Sequence, residues 1–246
     1  MFDIPLLLVA AFVAGALNSV AGGGSFLTLP ALVFTGVPSV VANATGTVAL
    51  LPGYVAGAWG FREDTQAPPG LSMRRLVVLS LLGGAAGAGL LLITPDTLFR
   101  RVVPWLLLLA TALFAFGPRL RGLATGHAAS PLKAAAGVLG VAAYGGYFNG
   151  GLGILLLALF GLLGQTSLNA MNGLKNVVSA LLTAIAVIIY AAGGVVQWPQ
   201  ALMMMVAATA GGYIGARAAR RIPAPWMRAG IVATGLIMTA IFFYYP

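Results

Sequence analysis

"NSVAGGGSFLTLP", residues 18–30, sets three consecutive glycines inside an otherwise apolar stretch. The apolar run that continues from it, 26–36, measures roughly 16 Å as a helix at 1.5 Å per residue, too short to cross a hydrocarbon core of ~30 Å. A helix broken at this point leaves backbone N–H and C=O groups without partners, which an apolar medium tolerates only where the break is buried in protein or lines a polar cavity. The glycines therefore mark both a turn in the fold and a candidate site.

The rest of the chain supplies the membrane. Of 246 residues, 60% are hydrophobic and 7% charged, and mean hydropathy is +1.01, which leaves too little polar surface to cover a soluble globule. Long runs rich in Leu, Ala and Gly recur without the alternating pattern of an outer-membrane barrel, so an all-α polytopic membrane protein is expected. The leader "MFDIP" carries Asp3 and no Lys or Arg, so the first apolar segment reads as a retained helix and not a signal peptide. There is no cysteine, which removes thiolate metal sites and disulfides. The formal charge of +9 sits in short gaps between spans, where membrane topology explains it and nucleic-acid binding does not.

A repeat emerges at a spacing of 128–129 residues: "GGAAGA" (83–88) recurs as "GGYIGA" (211–216), Pro95 and Arg100 as Pro223 and Arg228, and Gly22, Gly24 and Asn43 as Gly151, Gly153 and Asn172. Duplication accounts for this, giving a first membrane repeat over 1–121, a cytoplasmic linker over 122–130 and a second repeat over 131–246. Apolar segments follow the same order in each half, 4–21, 26–36, 40–60, 71–92 and 98–117, then 133–148, 154–164, 168–192, 200–216 and 225–245. The glycines of the two small-residue motifs read as packing surfaces.

Charge placement decides how the short segments lie. If both broken units cross fully, the gaps on the two sides hold six basic residues each. If both are re-entrant, ten basic residues share one side and Arg100 and Arg101 alone face the other, which obeys the positive-inside rule. The expected architecture is therefore two inverted-topology repeats, each a broken or re-entrant helix unit plus three spanning helices, in the bacterial inner membrane with both termini periplasmic. Segment 4–21, about 27 Å long as a helix, would have to tilt.

Helices restarting at Ser25 and Ile154 would point the positive ends of their dipoles, and free N–H groups, at one place near the midplane, where glycine lets a ligand approach the backbone. That arrangement attracts an anion. The candidate ligands around it are Asn18, Gly22, Gly23, Gly24, Ser25, Asn149, Gly151 and Gly153. Asn169, Asn172, Asn176, Ser179 and Thr183 form one polar stripe on a helix, with Lys175 beside it, and Asn43 and Thr47 repeat it in the first half. Asparagines also serve as glue between membrane helices, and Lys175 could instead reach the headgroups. A charge beside a polar stripe and a broken helix reads as an anion ligand.

At these residues the chain resembles the sulfite exporter TauE/SafE family of membrane permeases. The matching pieces are "NSVAGGGSFLTLPALVFTGVPSVVANATGTVALLPG" (18–53), "YGGYFNGGLGILLLALFGLL" (144–163), "NAMNGLKNVVSALL" (169–182) and "GGYIGARAARRIP" (211–223), so the likeness spans nearly the whole chain. The second break here reads "GGLG" in place of a triple glycine. The resemblance implies movement of sulfite, organosulfonate or a related small anion across the inner membrane, in either direction.

All four carboxylates (Asp3, Glu63, Asp64, Asp96) lie at segment ends or in gaps, and His127, the one histidine, is in the linker. A hydrolase would need a core base to activate Ser25, and a metal transporter would need ligands within the spans. No enzyme activity, cofactor or metal is therefore expected. The partners expected are a small anion and the lipid bilayer, with a homodimer compatible with the sequence. A non-transporting structural or accessory membrane subunit is the alternative. Trp59, Trp105, Trp198 and Trp226 lie near segment ends, as interfacial anchors do.

Overall fold

A computed structural model of the chain describes residues 3–20, 22–123, 130–218 and 224–244. His127, Arg220, Arg221, Pro223 and most of the 122–130 linker lie outside the described residues. Among the described residues the chain is all helix: α1 (Asp3–Val20), α2 (Ser25–Phe34), α3 (Ser39–Gly60), α4 (Met73–Ile93), α5 (Asp96–Leu123), α6 (Pro131–Tyr147), α7 (Leu152–Leu162), α8 (Leu168–Ala192), α9 (Trp198–Ala218) and α10 (Ala224–Tyr244). Of these, Ser39–Gly60, Met73–Ile93 and Asn169–Ala192 are long and apolar enough to cross a membrane.

The ten helices fall on the ten apolar segments because, in an apolar medium, a helix closes its own backbone hydrogen bonds. Most boundaries shift by a residue or two, and two of the shifts bear on the linker and the site. Helix α5 does not stop at 117 but continues through Pro118 to Leu123, two residues into the expected linker. Helix α7 begins at Leu152, two residues ahead of the expected Ile154, so Gly153 lies in its first turn and not in the break before it.

Helix α1 packs along α9 and α4 along α6; α3 touches α9 and α8 touches α4; α2 lies on α1 and α3, as α7 lies on α6 and α8; α3 meets α8, and α5 meets α10. Exchanging the first five helices for the last five leaves this set of pairings unchanged. Small residues bring the pairs close. A Cβ on Gly83 would stand 2.6 Å from the Leu139 carbonyl oxygen, and one on Gly87, Gly15 or Gly211 would overlap the backbone of Ala143, Ala208 or Phe12. These are the packing surfaces that "GGAAGA" and "GGYIGA" announce.

Directions follow from the same contacts. The first turns of α4 and α6 share a cavity, and Gly87 meets Ala143 and Tyr147 farther along, so the two helices run parallel. Helices α3 and α8 run antiparallel: Thr45 accepts a hydrogen bond from the N–H of Gln197, just past α8, whereas Gly57 meets Asn176 and Phe61 meets Gly173 near the start of α8. Helix α7 turns back along α6, with Gly145 against Leu152 and Gly137 against Leu159. Arg62, Arg74, Arg75 and Lys133 consequently gather at the end of the bundle where α3 stops and α4 and α6 start, and Arg100 and Arg101 lie at the other.

The core is one apolar cluster around the two helix breaks, including Phe26, Leu50, Tyr54, Phe99, Phe148 and Tyr190, and a second among α4, α6, α7 and α8. Phe99 packs edge-on to Tyr147 at 5.6 Å between ring centres. At the opposite surface Arg62 lies 5.0 Å over the Trp59 ring, as an interfacial tryptophan allows.

Candidate functional site

The two helix starts meet. Gly22, at φ +79°, and Gly151, at φ +69°, hold left-handed backbone that other residues adopt at a cost, and Asn149 holds it at φ +61°. Gly22 lies so close to α7 that a Cβ there would stand 2.6 Å from Gly153 Cα, and a Cβ on Gly151 would stand 3.4 Å from the Phe26 ring on α2. Helices α4, α6 and α8 are each capped by a serine side chain, Ser72, Ser130 and Ser167, and the start of α3 by Asp96, which accepts from the Val40 N–H at 2.8 Å. Helices α2 and α7 have no side-chain cap. No described residue accepts from the N–H groups of Gly23, Gly24, Ser25, Gly151 or Gly153. Two helix starts without a side-chain cap therefore lie together in the protein interior.

The carbonyls of the second break are already engaged. Tyr190 donates to the Gly146 oxygen, Asn43 to the Tyr147 oxygen at 3.0 Å, and Tyr144 to the Gly150 oxygen at 2.6 Å. What remains at the break is donor-rich, the wrong character for a cation and the right one for an anion. Tyr54 ties the halves together: its hydroxyl donates to Asn149 Oδ1 at 3.2 Å. Asn18 Oδ1, Asn149 Nδ2, Ser25 Oγ, Thr28 Oγ1, Ser179 Oγ and Thr183 Oγ1 are buried with no hydrogen-bond partner. A buried polar group left so costs about 1–3 kcal/mol, and a ligand or water removes that penalty.

Lys175 is 1% exposed and so does not reach the headgroups. Among the described residues the one ion pair is Arg62 with Glu63 at the surface, so the Lys175 ammonium has no carboxylate beside it. Asn176, the next residue, lines a cavity of about 340 Å³ between α1, α3 and α9, whose other walls include Asn18, Ser19, Gly53, Gly57 and Thr209. This cavity extends from Asn18 and Ser19, in the last turn of α1, to Phe61, at the end of α3 where the arginines gather. Asn169 is exposed at the start of α8, outside the stripe.

The predicted residues thus divide. Asn18, Gly22, Gly23, Gly24, Ser25, Asn149, Gly151 and Gly153 converge on the two helix starts. Asn43 is committed to the Tyr147 carbonyl, and Thr47 is buried one turn beyond it. Asn172, Lys175 and Asn176 follow one another on α8, with Asn176 at the cavity wall. The sequence reading passed over Tyr54, Tyr144 and Tyr190, whose hydroxyls organise the second break; Tyr54 lies seven residues, two turns, after Thr47 and prolongs the stripe of Asn43 and Thr47.

Comparison with known proteins places the chain in a family. The family model described as sulfite exporter TauE/SafE matches residues 7–242. The chain is 27% identical to a probable membrane transporter protein of Haemophilus influenzae over 98% of this chain and 94% of that protein. It is 27% identical to the probable membrane transporter protein ORF9 of a Sinorhizobium species, over 87% and 82% of the two chains. It is 25% identical to the probable membrane transporter protein YfcA of Escherichia coli K12, over 97% and 89%. No solved structure matches it. Family and relatives alike are transporters and not enzymes, and this chain belongs to the sulfite exporter TauE/SafE family of membrane transporters.

Proposed function

We propose that this transporter is a permease for a small anion, sulfite, an organosulfonate or a chemically similar solute, bound between the starts of α2 and α7. The observation that carries the reading is the contact of two uncapped helix starts at Gly22 and Gly153, with a buried Lys175 that lacks a carboxylate partner one residue from the cavity wall. Backbone donors would solvate a negative solute there without the reorganisation that water would require, with Lys175 as the proposed counter-charge.

The architecture proposed for it is a pair of inverted repeats, 1–121 and 131–246, in the bacterial inner membrane with both termini periplasmic and the 122–130 linker cytoplasmic. Three features support it: pairings that survive exchange of the halves, the antiparallel course of α3 and α8, and the return of α7 along α6. Parallel repeats would run α3 and α8 in the same direction. The gathering of arginines at the α4 and α6 starts supports a cytoplasmic position for that end.

On this reading the 340 Å³ cavity is a cytoplasmic vestibule leading to the site. The positions related to its walls by the 129-residue offset are filled: Tyr147 stands for Asn18, Phe148 for Ser19 and Leu182 for Gly53. Gly84 is packed against Leu182 and Gly146, which supports a closed periplasmic side. Outward movement of an anion from a cell with a negative interior gains about 2.3 kcal/mol per charge per 100 mV, so export runs without a coupled ion. The occupied carbonyls at Gly146, Tyr147 and Gly150 leave little to coordinate sodium there.

The test is flux in proteoliposomes against sulfite, sulfoacetate, sulfate and small carboxylates, with and without sodium and proton gradients. Uptake of one or more of these anions, lost in Gly23→Leu, is expected. Equal flux in the variant and the wild type removes the site, and no flux of any anion removes the function.

A further inference from the structure

A second cavity, about 690 Å³, opens where the first turns of α4 and α6 lie side by side. Its lining combines two characters: Arg74, Arg75 and Ser72 at the rim, and Val78, Leu132 and Ala135 as an apolar wall. Neither arginine is paired with a carboxylate among the described residues, and both are exposed. Because α4 and α6 run parallel, their positive ends lie together at this rim. Leu132 is 80% exposed and Val78 47%, so the apolar wall faces outward, where lipid chains lie in a membrane. The volume is about twenty times the ~30 Å³ of a water molecule, far more than a bare phosphate ion fills.

We propose that this groove holds an anionic glycerophospholipid, its phosphodiester against Arg74, Arg75 and the two helix starts, and its acyl chain along Val78, Leu132 and Ala135. Surface arginines that merely fix orientation need neither a groove nor an apolar wall beneath them. Basic pockets between membrane helices on the cytoplasmic side suit such headgroups. The inference rests on the membrane fold and not on the identity of the transported anion.

The test counts phospholipid retained by the purified protein in detergent, by native mass spectrometry, with added phosphatidylglycerol or phosphatidylcholine. Wild type is expected to retain phosphatidylglycerol preferentially. The double variant R74Q/R75Q should weaken that retention about thirtyfold, as loss of two interfacial cations implies, while R100Q/R101Q at the opposite end leaves it unchanged. Val78→Trp, which fills the wall and keeps both arginines, should also weaken retention. Equal loss in both arginine pairs, unchanged retention in Val78→Trp, or displacement of the lipid by glycerol phosphate at equal concentration would each overturn the proposal. The last result would assign the groove to a free phosphate.

Discussion

Replacing Lys175 by methionine should raise stability and remove function in one step. Lys175 is 1% exposed and has no carboxylate beside it among the described residues, so its charge is buried without a counter-ion. Exchanging buried charges for apolar side chains of similar volume often stabilises by 1–4 kcal/mol, and about 2 kcal/mol is a central value. For a chain of this size that corresponds to a rise of about 4–8 °C in the melting temperature. A bound anion supplies the missing partner, so wild type at a hundredfold excess over Kd should gain about 2.7 kcal/mol. Lys175→Met should gain almost nothing. The two proteins should therefore differ in melting temperature without anion and approach each other with it, while flux in proteoliposomes falls to background in the variant. Thermal unfolding in detergent, with and without the best anion of the flux panel, measures both. A variant that melts below wild type in the absence of anion, or transports at the wild-type rate, refutes the reasoning.

Gly22→Ala forces a left-handed alanine, at about 1–2 kcal/mol, and sets a methyl 2.6 Å from Gly153 Cα, so the helix starts separate and flux should drop at least about tenfold with the protein still inserted. Tyr54→Phe leaves Asn149 Oδ1 without its hydroxyl donor; a loss of about 1–3 kcal/mol in thermal stability is expected, together with weaker anion binding by titration calorimetry. Since the chain has no native cysteine, single cysteines report access directly: Thr209→Cys in the cavity should react with a membrane-impermeant thiol reagent added to the cytoplasmic side, and Ala186→Cys on α8 should not. Gly87→Leu drives a side chain into the backbone of Ala143, so accumulation of folded protein in the membrane should fall sharply, whatever the substrate.

The helices were legible because each is an apolar run bounded by Gly, Pro or charge, and a membrane admits few other conformations. Where local signals compete with that demand, they lose: Gly117 and Pro118 suggest an end, yet α5 runs on to Leu123. The helix starts at Ser25 and near Gly151 were legible from glycine spacing, though not the register that puts Gly153 inside α7. The polar stripe was visible as a stripe but not as a division of labour. Asn43 and Asn176 have the same side chain at similar helical spacing, and tertiary contact alone assigns one to the Tyr147 carbonyl and the other to the cavity. Tyr54, Tyr144 and Tyr190 were missed because an aromatic ring in an apolar span reads as core, and the hydroxyl at its end carries no periodic signal. Burial of Lys175 distinguishes an interior ammonium from one stretched to the surface, a choice its position in the chain leaves open.

In the proposed permease the contact between Gly22 and Gly153 would also serve as a seal. On the proposed reading, backbone against backbone would interrupt the water column between the two sides, so that small ions would not follow the cargo's path when no cargo is bound. If the proposed vestibule admits solvent from one side as far as Asn18, the transmembrane voltage would drop mainly across the short stretch beyond it. A solute crossing those few residues traverses most of the electrical gradient in a single short step, and turnover should steepen with applied voltage accordingly.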